Sequence, residues 1–97
     1  MALRVNWTTE AVNSYKSIID YLSKEWTIKE VEYFSERVDA LINNISIQPY
    51  LFKASSIKQI RKAAIGKQNS LFYIIRSDEI FLLQFWDNRQ DPNKRKY

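Results

Sequence analysis

The sequence predicts an α+β fold in which an antiparallel helical hairpin packs on one face of an antiparallel sheet. Three observations carry it: a short alternating segment at the start, two long stretches with apolar residues at helical spacing, and three apolar runs separated by turn residues in the C-terminal half. The order is strand, helix, helix, then a three-stranded meander. At 97 residues one domain spanning 1–97 is expected, with no room for a second.

Leu3, Val5 and Trp7 alternate with Arg4 and Asn6, the period of a strand with one apolar face. Thr8 and Thr9 offer hydroxyl caps, and Glu10 places a negative charge in the first helical turn, where the helix dipole favours it. Ala11, Tyr15, Ile18, Ile19, Leu22 and Trp26 then recur on one helical stripe. Thr27 and Glu30 have capping-box spacing, with Trp26 and Val31 set to close a hydrophobic staple, so a second helix is expected from Ile28. Its stripe is Val31, Phe34, Val38, Leu41, Ile42 and Ile45, and it should stop before Pro49.

Pro49 to Ser56 reads as a loop and Ile57 to Ile65 as a strand of mixed pattern. Gly66 opens a turn with Lys67, Gln68 and Asn69. Leu71 to Ile75 is a strand, Ser77 and Asp78 form a tight turn, and Ile80 to Trp86 returns as the last strand. These last two strands are apolar on both faces, although helices on one face alone would ask for alternation. Something is therefore expected to cover the second face. The candidates are the tail, the 49–56 loop through Tyr50, Leu51 and Phe52, or a partner chain.

Fifteen Lys and Arg against eleven Asp and Glu leave a net charge of +4, which favours polyanions or an acidic protein as partner. The sequence has no cysteine and no histidine. Disulfides, thiolate nucleophiles, serine–histidine catalysis and ordinary zinc sites are thereby removed. No cofactor or metal is expected. No apolar run approaches the ~20 residues needed to cross a bilayer, so no membrane partner and a cytoplasmic location are expected.

The run Phe85-Trp86-Asp87-Asn88-Arg89-Gln90-Asp91-Pro92 resembles the "F-x-D-x-R-x-x-P" ending of the ParE-like, or plasmid-stabilisation, branch of the RelE/ParE toxins. The Ile60-Arg61-Lys62 step and Tyr73 support the resemblance, which extends over nearly the whole chain. It implies a type II toxin that arrests growth until a cognate antitoxin binds it. Two activities occur on this fold: poisoning of DNA gyrase, and ribosome-dependent cleavage of messenger RNA without a metal. A purely protein-binding or inactive domain is the third reading, and fold alone does not choose among them.

By the same resemblance, Arg61, Lys62 and Arg89 are the candidate catalytic residues, aligned with the cations that orient RNA in the ribonuclease branch. Trp86, Arg89, Lys94, Arg95 and Tyr97 are the candidates for binding an antitoxin or target. Each also has a structural reading: Arg61 and Lys62 as solvated strand positions, Arg89 as a turn residue paired with Asp87 or Asp91, and Tyr73 as core. Trp86 can equally pack against a helix, Lys94 to Lys96 form a solvated run, and Tyr97 is expected to fray unless held. Ser70-Leu71 stands where the ribonuclease branch tends to carry arginine, which turns the expectation toward gyrase.

Overall fold

A computed structural model describes residues 2–56, 58–94 and 96–97. The elements run β1 (Arg4–Trp7), α1 (Thr9–Glu25), α2 (Ile28–Ile47), β2 (Arg61–Ala64), β3 (Asn69–Arg76), β4 (Glu79–Asp87) and a 3₁₀ turn at Pro92–Lys94. The expected α+β order holds. The sheet order is β1-β4-β3-β2, and β1 pairs parallel to β4 while the other two pairings are antiparallel. The sheet is thus mixed rather than wholly antiparallel. The helical hairpin is a crossover that returns the chain on the far side of the meander, which sets β1 beside the last strand.

Thr8 caps α1 as expected: its hydroxyl accepts from Ala11 N at 3.1 Å and donates to the Leu82 carbonyl at 2.7 Å. A single side chain therefore starts the helix and fastens it to β4. The second expected cap forms differently. Thr27 is the N-cap of α2 by position but makes no side-chain cap bond, and Trp26 stays 54% exposed, its backbone N–H closing α1 on the Leu22 carbonyl. The hairpin tip is held by backbone geometry instead of a capping box.

The core lies between the hairpin and one sheet face. Phe34, Val38, Leu41 and Ile45 of α2 meet Leu71, Tyr73, Ile80, Leu82 and Phe85, with Leu3, Val5, Tyr15, Ile18 and Leu22 packed at the edge. Four aromatic rings interlock there, Tyr15 lying 5.3 Å from Phe85, 5.5 Å from Trp7 and 5.8 Å from Phe34. Such edge-on and offset pairs add to plain burial.

The strand expected over 57–65 begins only at Arg61. Ser55 and Ile60 close a turn before it (Ser55 N to Ile60 O, 2.8 Å; Ile60 N to Ser55 Oγ, 3.1 Å), with Gln59 at φ 57°. Ile57, the start of the expected strand, lies outside the described residues. Ser77 and Asp78 have φ of 52° and 60°, as a two-residue hairpin turn of type I′ requires. Gly66 does sit in the β2–β3 turn, yet its φ is not positive, and a Cβ there would meet only Arg37 at 3.8 Å. Its lack of a side chain is not what makes the turn.

Between β3 and β4 the register slips: Phe72 faces Gln84 but Tyr73 faces Leu82, leaving Leu83 as an inserted residue. This bulge keeps both Leu82 and Phe85 in the core, three positions apart. Beyond it, Gln84 and Trp86 share the second face with Phe72 and Ser70. Of the covers expected for that face, two are seen there: the tail, with the Tyr97 ring 6.0 Å from Phe72, and the second half of the 49–56 loop, whose Lys53 to Ser56 border the same cavity as Phe72. The first half of that loop serves the core side through Phe52, while Tyr50 and Leu51 remain exposed.

Candidate functional site

Alternation along β2 decides where its cations go. Arg61 pairs with Tyr73 and so faces the core side, whereas Lys62 pairs with Phe72 and faces the second side. The Arg61 guanidinium donates to the Phe52 carbonyl and lies 4.9 Å from the Tyr50 ring centre. The Tyr73 hydroxyl donates to the Pro49 carbonyl at 2.9 Å. Together they hold the 49–52 loop against the sheet edge, a positioning task for Arg61 and a core task for Tyr73.

Lys62 instead lines an open cavity of about 640 Å³ with Lys53, Lys58, Ile60, Phe72 and Tyr97. The structure thus brings together two residues that the sequence singles out, Lys62 and Tyr97, and adds Lys53 and Lys58, which it does not. Their signal is the density of lysine between positions 53 and 62; the fold closes that stretch into a turn beside β2.

Tyr97 is held. Its hydroxyl donates to Glu10 Oε2 at 3.2 Å, and Lys96 Nζ lies 3.1 Å from Glu10 Oε1. Burial, and then the neighbouring Glu10 carboxylate, push the Tyr97 phenol above its ordinary range, so it stays protonated and able to donate. The fraying expected of this residue is countered by the acid that also favours the start of α1.

Arg89 points elsewhere. Its Nη2 meets Asp87 Oδ2 at 2.7 Å, its Nε meets Oδ1 at 3.0 Å and its backbone N–H meets Oδ1 at 2.9 Å, while the guanidinium sits 5.7 Å from the Tyr21 ring centre on α1. The hydrogen bonds from Arg89, against a smaller opposing effect of burial, hold the Asp87 carboxyl below its ordinary range. A depressed carboxylate stabilises the fold above its unfolded pKa, near 3.8. That stabilisation fades as pH falls from there through the lower folded value. Arg89→Leu is expected to flatten the acid limb of a stability–pH profile; an unchanged limb would show the pair to be without weight. Because the pair is open to solvent, the effect is small.

Trp86 is 7% exposed on the second face, opposite Ser70, and serves as packing rather than as an open anchor. Ser70 Oγ donates to Asn88 Oδ1 at 3.0 Å, and Asn88 N donates to the Gln68 carbonyl at 2.7 Å, which pins the strand end. Lys94 is exposed in the 3₁₀ turn, and Arg95 lies outside the described residues. Among the described residues no cluster of three or more His, Cys, Asp or Glu could hold a metal.

The family model described as "ParE toxin of type II toxin-antitoxin system, parDE" matches residues 5–92. The chain belongs to this ParE toxin family. A search of curated proteins returns no match. Among solved structures, a chain of the chromosomal ParDE toxin–antitoxin system from P. aeruginosa superposes with a TM-score of 0.74 at 12% identity, over 89% of this chain and 96% of that one. A copper-bound mutant toxin from Helicobacter pylori gives 0.65 at 17%, over 90% and 96%. The YoeB dimer from Staphylococcus aureus gives 0.61 at 14%, over 87% and 94%. At these identities the structures attest the shared fold, and the family match makes this ParE-family chain a toxin of the type II class.

Proposed function

We propose that the chain arrests growth by acting on DNA gyrase in the cytoplasm and is restrained by a cognate antitoxin. The observation that carries the choice of target is the dispersal of the three cations that RNA cleavage would use together. Arg61 is committed to the Phe52 carbonyl, Lys62 faces the opposite side of the sheet, and Arg89 is clamped by Asp87 over Tyr21. Phosphoryl chemistry needs such charges preorganised around one oxygen, and here they do not converge.

The antitoxin would dock on a different surface, beside the helical hairpin. Trp26 and Ile28 are exposed at the hairpin tip, and the exposed Tyr33 lines an open groove of about 490 Å³ between the hairpin and the β2–β3 turn, with Leu22, Glu30, Phe34 and Arg37. An amphipathic partner segment carrying acids could bury them. The exposed Lys94 and Lys96 and the net charge of +4 would speed its approach.

Purified gyrase is expected to lose supercoiling activity on addition of the protein and to regain it when the antitoxin is supplied; full supercoiling at excess toxin would refute the gyrase reading. The second reading, ribosome-dependent cleavage of messenger RNA, has the Lys53, Lys58, Lys62 and Tyr97 cavity in its favour. It predicts cut transcripts in a translating extract and loss of cutting in Lys62→Ala.

A further inference from the structure

Arg37 is fixed in place, but its charge is not met. Its Nε donates to the Ile65 carbonyl at 2.7 Å, its Nη1 donates to the Tyr33 hydroxyl at 2.8 Å, and its guanidinium lies 5.4 Å from the Tyr33 ring centre. Both acceptors are neutral. Among the described residues Nη2 has no hydrogen-bond partner and the side chain joins no ion pair. Arg89 differs, because its fork closes on the Asp87 carboxylate. A guanidinium already held by two hydrogen bonds loses little freedom on meeting an anion, so Arg37 is prepared for one.

Gly66 keeps that guanidinium open. A Cβ at this position would lie 3.8 Å from Nε and Nη2 of Arg37 and 3.9 Å from Cζ, so a side chain longer than a methyl would spread over the charge. The φ of Gly66 is not positive, and the backbone of the turn does not ask for glycine. What the glycine supplies is access. Arg37 and Glu30 both line the groove, on one face of α2 and about 10 Å apart along its axis, with Phe34 between them. Glu30 also joins no ion pair among the described residues. The groove thus has an apolar floor of Leu22, Phe34 and Ile65. Arg37 and Lys67 make its end at the β2–β3 turn positive, and Glu30, in the first turn of α2, makes its end at the hairpin tip negative.

We propose that Arg37, kept uncovered by Gly66, is the carboxylate anchor of this groove: it takes an Asp or Glu of the antitoxin helix, while Glu30 takes a base of the same helix two turns away. The proposal rests on the reading that an antitoxin segment docks in this groove. The occupant's chemistry follows from charge complementarity and spacing. Two opposite charges about 10 Å apart with apolar floor between them match a helix that carries an acid, two apolar residues and a base at i, i+3, i+4 and i+7. A helix with two acids on that face would meet Glu30 and be disfavoured, so the pair selects among partners as well as binding one. The site is independent of the toxin's target, and its test needs no gyrase assay.

The probe is a fluorescein-labelled, end-capped helical peptide of about 18 residues, with Glu, Leu, Leu and Lys at i, i+3, i+4 and i+7 on an alanine and glutamine background. Its control carries Gln in place of Glu, and binding to the full chain is read by fluorescence anisotropy. The Glu peptide is expected to bind the wild-type protein about tenfold more tightly than the control, the effect of one charge-assisted hydrogen bond at a partly open site. In Arg37→Gln and in Gly66→Leu the ratio is expected to fall to about one. Gly66→Leu leaves Arg37 and its bonds in place and only covers the guanidinium, so it decides the matter if Arg37→Gln loosens the fold. Glu30→Gln should preserve the ratio and erase the preference for Lys over Gln at i+7. A ratio that survives Arg37→Gln at wild-type melting temperature overturns the anchor, and survival in Gly66→Leu overturns the role of the glycine. Equal binding of both peptides by the wild-type protein overturns the anchor while docking in the groove stands, whereas binding of neither overturns both.

Discussion

Tyr73→Ala is expected to lower the unfolding free energy by about 3–5 kcal/mol, the range for removing a fully buried aromatic ring. The ring has 0% exposure at the centre of β3, packed in the same cluster as Leu71, Leu82 and Ile45. Its hydroxyl also supplies the donor for the Pro49 carbonyl. Tyr73→Phe keeps the ring and removes only that bond, at a cost of about 1 kcal/mol. Urea unfolding of the two variants separates the contributions; a Tyr73→Ala loss below that of Tyr73→Phe would contradict the packing. A second signature is alkaline. Burial, opposed by the charge of Arg61, raises the phenol above its ordinary value of 10.0, so the folded state retains the proton longer than the unfolded chain. Stability from this group is complete below that ordinary value and is lost as pH climbs through the folded one. Tyr73→Phe should remove this alkaline decline.

Arg61→Ala and Lys62→Ala, adjacent in sequence, are expected to behave as opposites. Arg61 holds the Phe52 carbonyl, stacks on Tyr50 and borders Tyr73, so its removal strands a carbonyl and frees the 49–52 loop. Removing a charge-assisted hydrogen bond and a cation–π interaction at once should cost about 2 kcal/mol. Lys62 is exposed, so Lys62→Ala should stay within about 0.5 kcal/mol of wild type. Thermal melts of the two proteins decide the matter. Any fall in toxicity for Arg61→Ala would then follow the folded fraction, whereas equal stability of the two variants would point to Arg61 touching the target itself.

The elements with strong periods are legible from the residues alone. The α2 stripe of Phe34, Val38, Leu41 and Ile45 is the buried face, Thr8 is the cap, and the Ser77–Asp78 turn has the backbone its position demands. The parallel pairing of β1 is not legible, because Leu3, Val5 and Trp7 fit either edge and direction; hydrogen bonds to residues some 75 positions away decide it. The start of β2 is obscured because the pattern over 57–65 is mixed and marks no boundary, while the Ser55 hydroxyl and the Gln59 backbone close a turn.

The candidate site is legible in type but not in grouping. The motif from Phe85 to Pro92 spans the end of β4 at Asp87, and of the readings given for Arg89 the pairing with Asp87 is the one its geometry displays. That Arg61 and Lys62 part company is implicit in strand alternation, but only the register with Phe72 and Tyr73 assigns each to a side. In the sequence Glu10 reads solely as a helix-dipole residue. Its reach to Lys96 and Tyr97 joins opposite ends of the chain and leaves no local trace.

The inserted Leu83 gives β4 a property that reaches beyond its local geometry. In an unbroken strand, even and odd positions are bound to opposite sides, so Phe85 and Trp86 could not be reassigned without shifting every residue from Ile80 onward. One extra residue uncouples the two halves. Ile80 and Leu82 answer to the hairpin, while the Phe85-to-Arg89 ending keeps its own assignment, Phe85 inward and Trp86 outward. Deleting that residue would exchange the two aromatics and turn Asp87, with the arginine it holds, away from Tyr21. In this chain the Phe85 ending therefore keeps its two faces only together with the residue count before it.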